Sequence, residues 1–306
     1  MAPQLAYLGL GNMGQAMCGN LVKKGNLSSP LIIYNRTARR ATELAERIGN
    51  CTVATSALDA VAPADIIFSC LTDDDAVMAL FKEILNGEVD VKGKLFVSCS
   101  TTAPETSDQL AIMVEEKGAG IVTMPVFGEP SMAEKGLLIC VPAGKAELVE
   151  KVKPYCTGVI GRGVIDFSNN AHGKASLLKV IGNVFIVNMI ETVAEGHVLA
   201  EKTGLGHESL HKFIEQIFPG PFTLYSDRMM TGDYYDREEP VVGIGMARHL
   251  AGQVLGLASD SGAKLPAYEI AEKHMEMVEQ HIGAKGDISG IYGALRQKSG
   301  LPYESK

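Results

Sequence analysis

Residues 171–204 read AHGKASLLKVIGNVFIVNMIETVAEGHVLAEKTG, and the interpretation of this stretch decides the fold. Leu177, Leu178, Val180, Ile181, Val184, Phe185, Ile186, Val187, Met189, Ile190 and Val193 put apolar groups nearly all round a helix. That pattern predicts a helix buried on most sides. At 1.5 Å per residue it would be about 50 Å long, enough to run from one domain into the next. Upstream, strand patterns alternate with helix patterns; downstream only helices are found. The uninterrupted apolar runs fall short of the ~20 residues a bilayer requires, so no membrane span is expected. Lys179 and Asn183 interrupt the run and, four residues apart, share a helix face. A cation and an amide there call either for a chemical role or for a lysine that snorkels to water beside its asparagine. The stretch by itself favours neither.

Working outward, 306 residues suffice for two domains with cores of their own. The composition is 46% hydrophobic and 21% charged, and the mean hydropathy is +0.10, as in globular proteins. A net charge of −8 argues against nucleic acid or an anionic membrane as partner, since both need a basic surface. The first residues lead straight into a strand with no signal peptide, and the C-terminal GLPYESK carries no lipidation signal, so a cytoplasmic enzyme is expected. Six cysteines, at 18, 51, 70, 99, 140 and 156, form no CxxC or finger spacing and read as small buried hydrophobes in a reducing compartment.

The chain opens with a strand, Gln4 to Leu8. Gly9-Leu10-Gly11-Asn12-Met13-Gly14 follows, and then a helix from about Gln15 to Lys24. This is G-x-G-x-x-G between a strand and a helix. The first glycine permits the tight turn, the second lets backbone approach a pyrophosphate, and the third lets helix pack on strand. The next strand, Leu31 to Tyr34, ends in Asn35-Arg36-Thr37, with Asn35 21 residues beyond Gly14. An acid at that place reads the ribose 2′-hydroxyl of NAD. A neutral amide followed by arginine would instead accept a 2′-phosphate, so NADP(H) is expected in preference to NAD(H).

Further strands are expected at 51–53, 64–71, 94–98, 120–124 and 137–141, with a helix over 41–48. In an open α/β sheet, ligands sit outside the carboxyl ends of the strands. Leu71-Thr72, Ser100-Thr101 and Phe127-Gly128-Glu129 lie at such ends, although turn residues would look the same. Asp73, Asp74 and Asp75 open a helix and read as caps. Beyond the long helix, further helices are expected over about 208–216, 221–230, 241–261, 266–282 and 289–298.

Taken together these motifs resemble the β-hydroxyacid dehydrogenases, the family of 3-hydroxyisobutyrate dehydrogenase and the glyoxylate/succinic semialdehyde reductases. The resemblance spans nearly the whole chain. Gly9 to Gly14 is similar to the family's dinucleotide loop, Leu71-Thr72 to its nicotinamide loop, and Cys99-Ser100-Thr101 to its substrate motif. Pro125-Val126-Phe127-Gly128 resembles its P-V-S-G-G loop. Gly173 to Asn183 resembles G-x-G-x-x-x-K-x-x-N-N, and Gly286-Asp287 its C-terminal end. The resemblance implies a Rossmann dinucleotide-binding domain over 1–170, then the linking helix and an all-α domain over 171–306, with the site in the cleft between. It implies hydride exchange with a small hydroxy acid or semialdehyde, with Lys179 as general acid/base and Asn183 as its partner. Ser100, Thr101 and the Gly128 backbone would hold the substrate, His249 would lie beside the cofactor, and the chain would form a homodimer.

Some residues depart from the pattern. Phe127 stands where the family has serine, and Glu129 where it has glycine or serine. Ala175 replaces the second glycine of the lysine motif and Gly182 its first asparagine. His249-Leu250 replaces a Lys-Asp pair. These changes alter the pocket wall and its charge; if Phe127 and Glu129 reshape the acid-binding loop, the small hydroxy acids typical of the family should be poor substrates. Imine reductases share the implied fold but usually lack the lysine. A dinucleotide-binding protein without turnover is a further reading, against which Lys179 and Asn183 weigh. His207-Glu208-Ser209-Leu210-His211 matches the H-E-x-x-H of zinc peptidases, with Glu215 a possible third ligand. It falls at the first turn of a short helix directly after Gly204-Leu205-Gly206, and no metal is expected there.

Overall fold

The computed structural model describes residues 2–305, and the strand–glycine–helix opening is present. β1 (Leu5–Leu8) leads into α1 (Asn12–Lys24), β2 (Leu31–Tyr34), α2 (Ala38–Ile48), β3 (Cys51–Val53), α3 (Ala57–Val61) and β4 (Ile66–Ser69). There follow α4 (Asp74–Asn86), β5 (Leu95–Ser98), α5 (Pro104–Glu116), β6 (Gly120–Thr123), β7 (Val126–Phe127), α6 (Pro130–Lys135) and β8 (Leu138–Cys140). β9 (Ala143–Gly144), α7 (Ala146–Val152), β10 (Gly161–Val164) and β11 (Phe167–Ser168) lead to α8 (Gly173–Thr203). The chain divides into two compact units, Met1–Lys179 and Val180–Lys306, so the division falls within α8.

In the first unit the main sheet runs β11-β9-β6-β5-β4-β1-β2-β3. From β3 to β6 every pairing is parallel, with Ala6 opposite both Ile32 and Ile67. β9 joins β6 antiparallel. The stretch β3-β2-β1-β4-β5-β6 is the doubly wound dinucleotide order, whose direction of winding reverses between β1 and β4. Successive residues of a strand point to opposite faces. Leu5 and Tyr7 therefore enter one core with Leu31, Ile33 and Phe68, while Ala6 and Leu8 enter the other with Ile67 and Phe96. A parallel sheet buried on both faces needs such continuous apolar strands.

Several short elements escape the sequence pattern. α3 has only five residues and is set by its cap, Ser56, whose Oγ accepts from Asp59 N at 3.0 Å. α6 carries Pro130 in its first turn and ends at Gly136 with φ +72°, the proline-in, glycine-out signature of a helix. The first helix begins at Asn12, inside the glycine motif and not after it.

The second unit contains α9 (His207–Ile217), α10 (Pro221–Thr231), α11 (Ile244–Ser261), α12 (Pro266–Ile282) and α13 (Ile291–Lys298). Val187, Ile190, Val193 and Ala194 of α8 belong to its core, with Ala251, Met275 and Tyr292. By length and composition α8 would suffice to cross a bilayer. Here much of its apolar surface is spent on protein packing instead. The expectation of burial on most sides nevertheless needs correction. Ile181, Phe185 and Leu199 are 43%, 74% and 64% exposed. They lie along one stripe at helical spacing, so the helix has an apolar face that the described residues leave open.

The H-E-x-x-H residues do sit at the start of α9, and their rings turn to protein partners. His207 Nδ1 meets His197 Nδ1 at 3.1 Å, and its Nε2 meets Glu201 at 3.3 Å. His211 Nδ1 meets Ser226 Oγ at 2.8 Å, and its Nε2 meets Asp227 at 3.2 Å. Glu208 is exposed. Burial, and next the two neighbouring imidazoles, bring His197 down to about 4, so the His197 ring is neutral near pH 7.

Candidate active site

At the reversal of the sheet the ends of β1 and β4 meet. Gly9 has φ +94°, a conformation that L side chains rarely adopt. A Cβ there would lie 2.3 Å from Cys70 O and 2.7 Å from Leu71 Cδ2. A Cβ on Gly14 would lie 2.1 Å from Gly9 O, so the third glycine brings α1 hard against the turn. Around Gly11 the space is different. A Cβ there would meet nothing within 4 Å. Gly11 is also the N-cap of α1, which has no side-chain cap and no acid in its first turn. Free N–H groups at a helix N-terminus facing open space suit an anion, and the donor set fits a dinucleotide pyrophosphate.

Two side chains brace this turn, and the sequence pattern shows neither bond. Asn35 Oδ1 accepts from Leu10 N at 2.9 Å, and its Nδ2 donates to Thr37 O at 3.1 Å. The amide is thus tied to the glycine loop, while Arg36 and Thr37 are exposed. Ser100 is 1% exposed, and its Oγ accepts from Leu71 N at 2.8 Å. It ties the loop after β4 to the loop after β5, and half-buried Thr101 follows it. Thr72 is exposed and donates to Asp73 at 2.9 Å. Asp73 caps α4 through Ala76 N at 2.8 Å, as its place at a helix start implies.

The first residues of α8 are held from three sides within the first unit. Asp108 Oδ1 accepts from Gly173 N at 2.7 Å, placing an acid where the helix dipole favours one. His172 Nδ1 meets Thr123 Oγ1 at 3.1 Å. Ser176 Oγ joins a buried hydroxyl chain, 2.7 Å from Ser107 Oγ, which is in turn 2.8 Å from Thr102 Oγ1. These four residues, Thr102, Ser107, Asp108 and Ser176, had no motif to announce them. Their effect is to lock the helix one turn before Lys179.

Lys179 is half-buried, and its Nζ lies over the ring of Phe127, 4.6 Å from the centroid. Burial brings its ammonium down to about 8, with the neighbouring Cys70 acting in the opposite sense. Cys70 itself is pushed up to about 11 by burial, so it is a neutral thiol near pH 7. The strand that carries Phe127 is fixed by antiparallel pairing, Phe127 opposite Ile139. Beyond it Gly128 has φ +134° and is exposed. Glu129 Oε1 accepts from Ser131 Oγ, while its Oε2 is buried with no partner.

Contacts within the first unit therefore bring together the glycine loop, Asn35, Cys70-Leu71 and Ser100 at one end of the sheet. Lys179 lies over Phe127, and its ammonium is influenced electrostatically by Cys70, the residue before Leu71. In the second unit the half-buried Asn183 keeps its Nδ2 buried without a partner, and His249 is exposed on α11. Gly286-Asp287 has a structural task there. Asp287 is 3% exposed, pairs with Arg228 at 2.7 Å, and accepts from Val241 N at 2.8 Å.

Comparison with known proteins bears on the dinucleotide-binding half and on the fold. Residues 4–165 match the NAD-binding domain of 6-phosphogluconate dehydrogenase. The NADH-dependent oxidoreductase ucdB of Aspergillus ustus is 41% identical over 294 residues, which cover 96% of this chain and 99% of that protein. Glyoxylate/succinic semialdehyde reductase 1 of Arabidopsis thaliana is 31% identical over 68% of this chain and 69% of its own length. Among solved structures, 3-hydroxyisobutyrate dehydrogenase of Mycobacterium tuberculosis with L-serine shares the fold. Its TM-score is 0.79 at 23% identity, over 97% of this chain and all of that one.

Proposed function

Since the chain belongs to the family built on the NAD-binding domain of 6-phosphogluconate dehydrogenase and is an NAD(P)-dependent oxidoreductase, we propose that it exchanges a hydride with a small carbonyl or hydroxy compound, of the hydroxy-acid or semialdehyde type, using Lys179 as general acid/base. The observation that carries this reading is the half-buried lysine, one turn after a locked helix start, whose ammonium feels Cys70 in the loop packed against Gly9. A lysine brought to about 8 can both give and take a proton near neutrality. The nicotinamide supplies the hydride when bound. Gly9 to Gly14 would hold its pyrophosphate, and Leu71-Thr72 would border its ring. In reduction, Lys179 would protonate the oxygen on which charge develops; in oxidation it would take that proton back. Asn183, with an unpaired buried donor, would orient the substrate oxygen. Thr101 and the Gly128 backbone would contact the rest of the substrate, with Ser100 holding the loop from behind.

The signs of the pH dependence follow from the direction of the lysine's shift. The ammonium is the acid, so kcat/KM for reduction should hold below about pH 8 and fall above it. For oxidation it should rise through the same range. Rate profiles in both directions check this, and a reduction rate that climbs between pH 8 and 10 would remove Lys179 from the role.

We assign NADP(H) as the preferred cofactor on the amide at Asn35 and the exposed Arg36, although the Aspergillus relative is named for NADH. With the Asn35 amide tied to the loop, discrimination falls on Arg36. Arg36→Ala should weaken NADPH by about tenfold to a hundredfold, the loss of a charge-assisted phosphate contact of roughly 1.5–3 kcal/mol. It should leave NADH nearly unchanged. Fluorescence titration of both cofactors decides the point, and equal native affinities would overturn the assignment. A panel of aldehydes, keto acids and hydroxy acids with either cofactor then defines the substrate, and efficient turnover of 3-hydroxyisobutyrate would show that Phe127 and Glu129 leave the acid pocket intact. The apolar stripe of Ile181, Phe185 and Leu199 supports assembly as a homodimer.

A further inference from the structure

We infer that Phe127 is a positioning residue for proton transfer, its ring face holding the ammonium of Lys179 where no carboxylate among the described residues pairs with it. This rests on Lys179 being the proton carrier, and it goes further by assigning a task to a residue that otherwise reads as pocket wall.

The geometry has three parts. Lys179 Nζ lies 4.6 Å from the Phe127 centroid, within the ~6 Å over which a ring face attracts a cation. The ring cannot drift. Its strand is paired to β8, and the side chain packs in a small cluster with Val141, Ala143, Ala175, Phe167 and Leu178. Ala175 and Leu178 come from α8 itself, so the helix that carries the lysine also clamps the ring. Ala175 is fully buried and stands one turn before Lys179. Two residues at which this chain differs from the pattern of the lysine motif and its facing loop, Ala175 and Phe127, thus meet in one apolar cluster.

The third part is charge. The titratable group that acts on Lys179 is Cys70, at the end of β4, a neutral thiol near pH 7. On α8 the nearest charged residue is Lys174, which is exposed. Glu129, on the loop beyond Phe127, engages Ser131 through its Oε1. The π face is therefore the attractive contact that the ammonium makes among the described residues of the first unit. The ring acts on the lysine in two opposed ways. Its bulk excludes water and disfavours the charged form, while its face favours that form. Replacing the ring by an aliphatic side chain removes only the second effect; replacing it by a small polar one removes both.

The test uses the full chain labelled with ¹³Cε-lysine, titrated by NMR without substrate, with the Lys179 resonance assigned by its absence in Lys179→Met. Phe127→Tyr should titrate within a few tenths of a pH unit of the native chain. Phe127→Leu should titrate lower by about 0.4–1.5 units, the loss of a cation–π contact at 1.36 kcal/mol per unit. Phe127→Ser should titrate higher, toward an exposed lysine. A Phe127→Leu midpoint at or above the native one, or leucine and serine shifts of the same sign, would overturn the inference. Should Phe127→Leu fail to fold, Phe127→Met carries the same expectation. The titration needs no turnover. If Lys179→Met proved active, the proton-carrier reading would fall, and the resonance would still report whether the ring holds the ammonium.

Discussion

Lys179→Met should fold, bind NADPH nearly as the native chain does, and lose about 10²–10⁴-fold in kcat, the usual contribution of a positioned general acid. The reasoning starts from what methionine keeps. It preserves the apolar stem, so a lysine that merely snorkels would be replaceable at little cost. The helix turn beneath would still be held by Asp108, Ser107 and Thr123, none of which touches the amine. The glycine loop is built from Gly9, Gly14, Asn35 and Cys70, so cofactor affinity should survive. Removing an ammonium that burial disfavours should even raise thermal stability slightly. Lys179→Arg should also fail, because guanidinium stays protonated and has a different shape. The measurements are kcat, NADPH affinity and Tm for each variant. Retention of kcat within a few-fold in Lys179→Met would hand the proton chemistry to another group, with His249 the first to examine.

The second large effect separates two glycines of one motif. Gly11→Ala should fold with a loss of about 1 kcal/mol or less, since its Cβ meets nothing and alanine is only a poorer N-cap. Its cofactor affinity should drop at least tenfold, because the methyl occupies the space that the phosphates approach. Gly14→Ala should instead destabilise the fold itself. Its Cβ would lie 2.1 Å from the carbonyl of Gly9, a backbone atom that cannot swing away. Overpacking of this kind costs roughly 1–3 kcal/mol or more. Thermal melts with and without NADPH distinguish the two. A Gly11→Ala protein with native NADPH affinity would show that no phosphate sits against that glycine.

These contrasts mark the boundary between what a linear pattern conveys and what packing adds. The Rossmann half, the long helix and the helical second half were legible because each rests on a local rule. Strand runs must be apolar where both faces are buried, as at Leu5 to Leu8 and Ile66 to Ser69. Helix periodicity survives over many turns. The glycines at 9, 11 and 14 are spaced by the turn they must make. Lys179 was legible because a cation in an apolar helix contradicts its surroundings, and because it falls in a recognisable motif.

The short elements were not legible. α3, β7 and β9 hold five residues or fewer, too few for a period to declare itself, and they are set by single caps or by pairing with distant strands. Side-chain tasks were least legible of all. Asn35 was read as the neutral amide that admits a 2′-phosphate, and the fold also ties its Oδ1 to Leu10 N. Ser100 looked like a substrate ligand, yet its Oγ accepts from Leu71 N. Both bonds join residues more than 20 positions apart, so no local pattern can contain them. Exposure along α8 was misjudged for a related reason. Ile181, Phe185 and Leu199 are as apolar as their buried neighbours, and only the arrangement of other helices decides which stripe is covered. The chain's own residues thus determined the dinucleotide loop, the order of elements and the place of the lysine proposed to carry the proton. Tertiary structure alone decided what surrounds Lys179, because Phe127 meets its ammonium and Ser107 meets Ser176 of its helix from separate segments, and both act only when those segments pack.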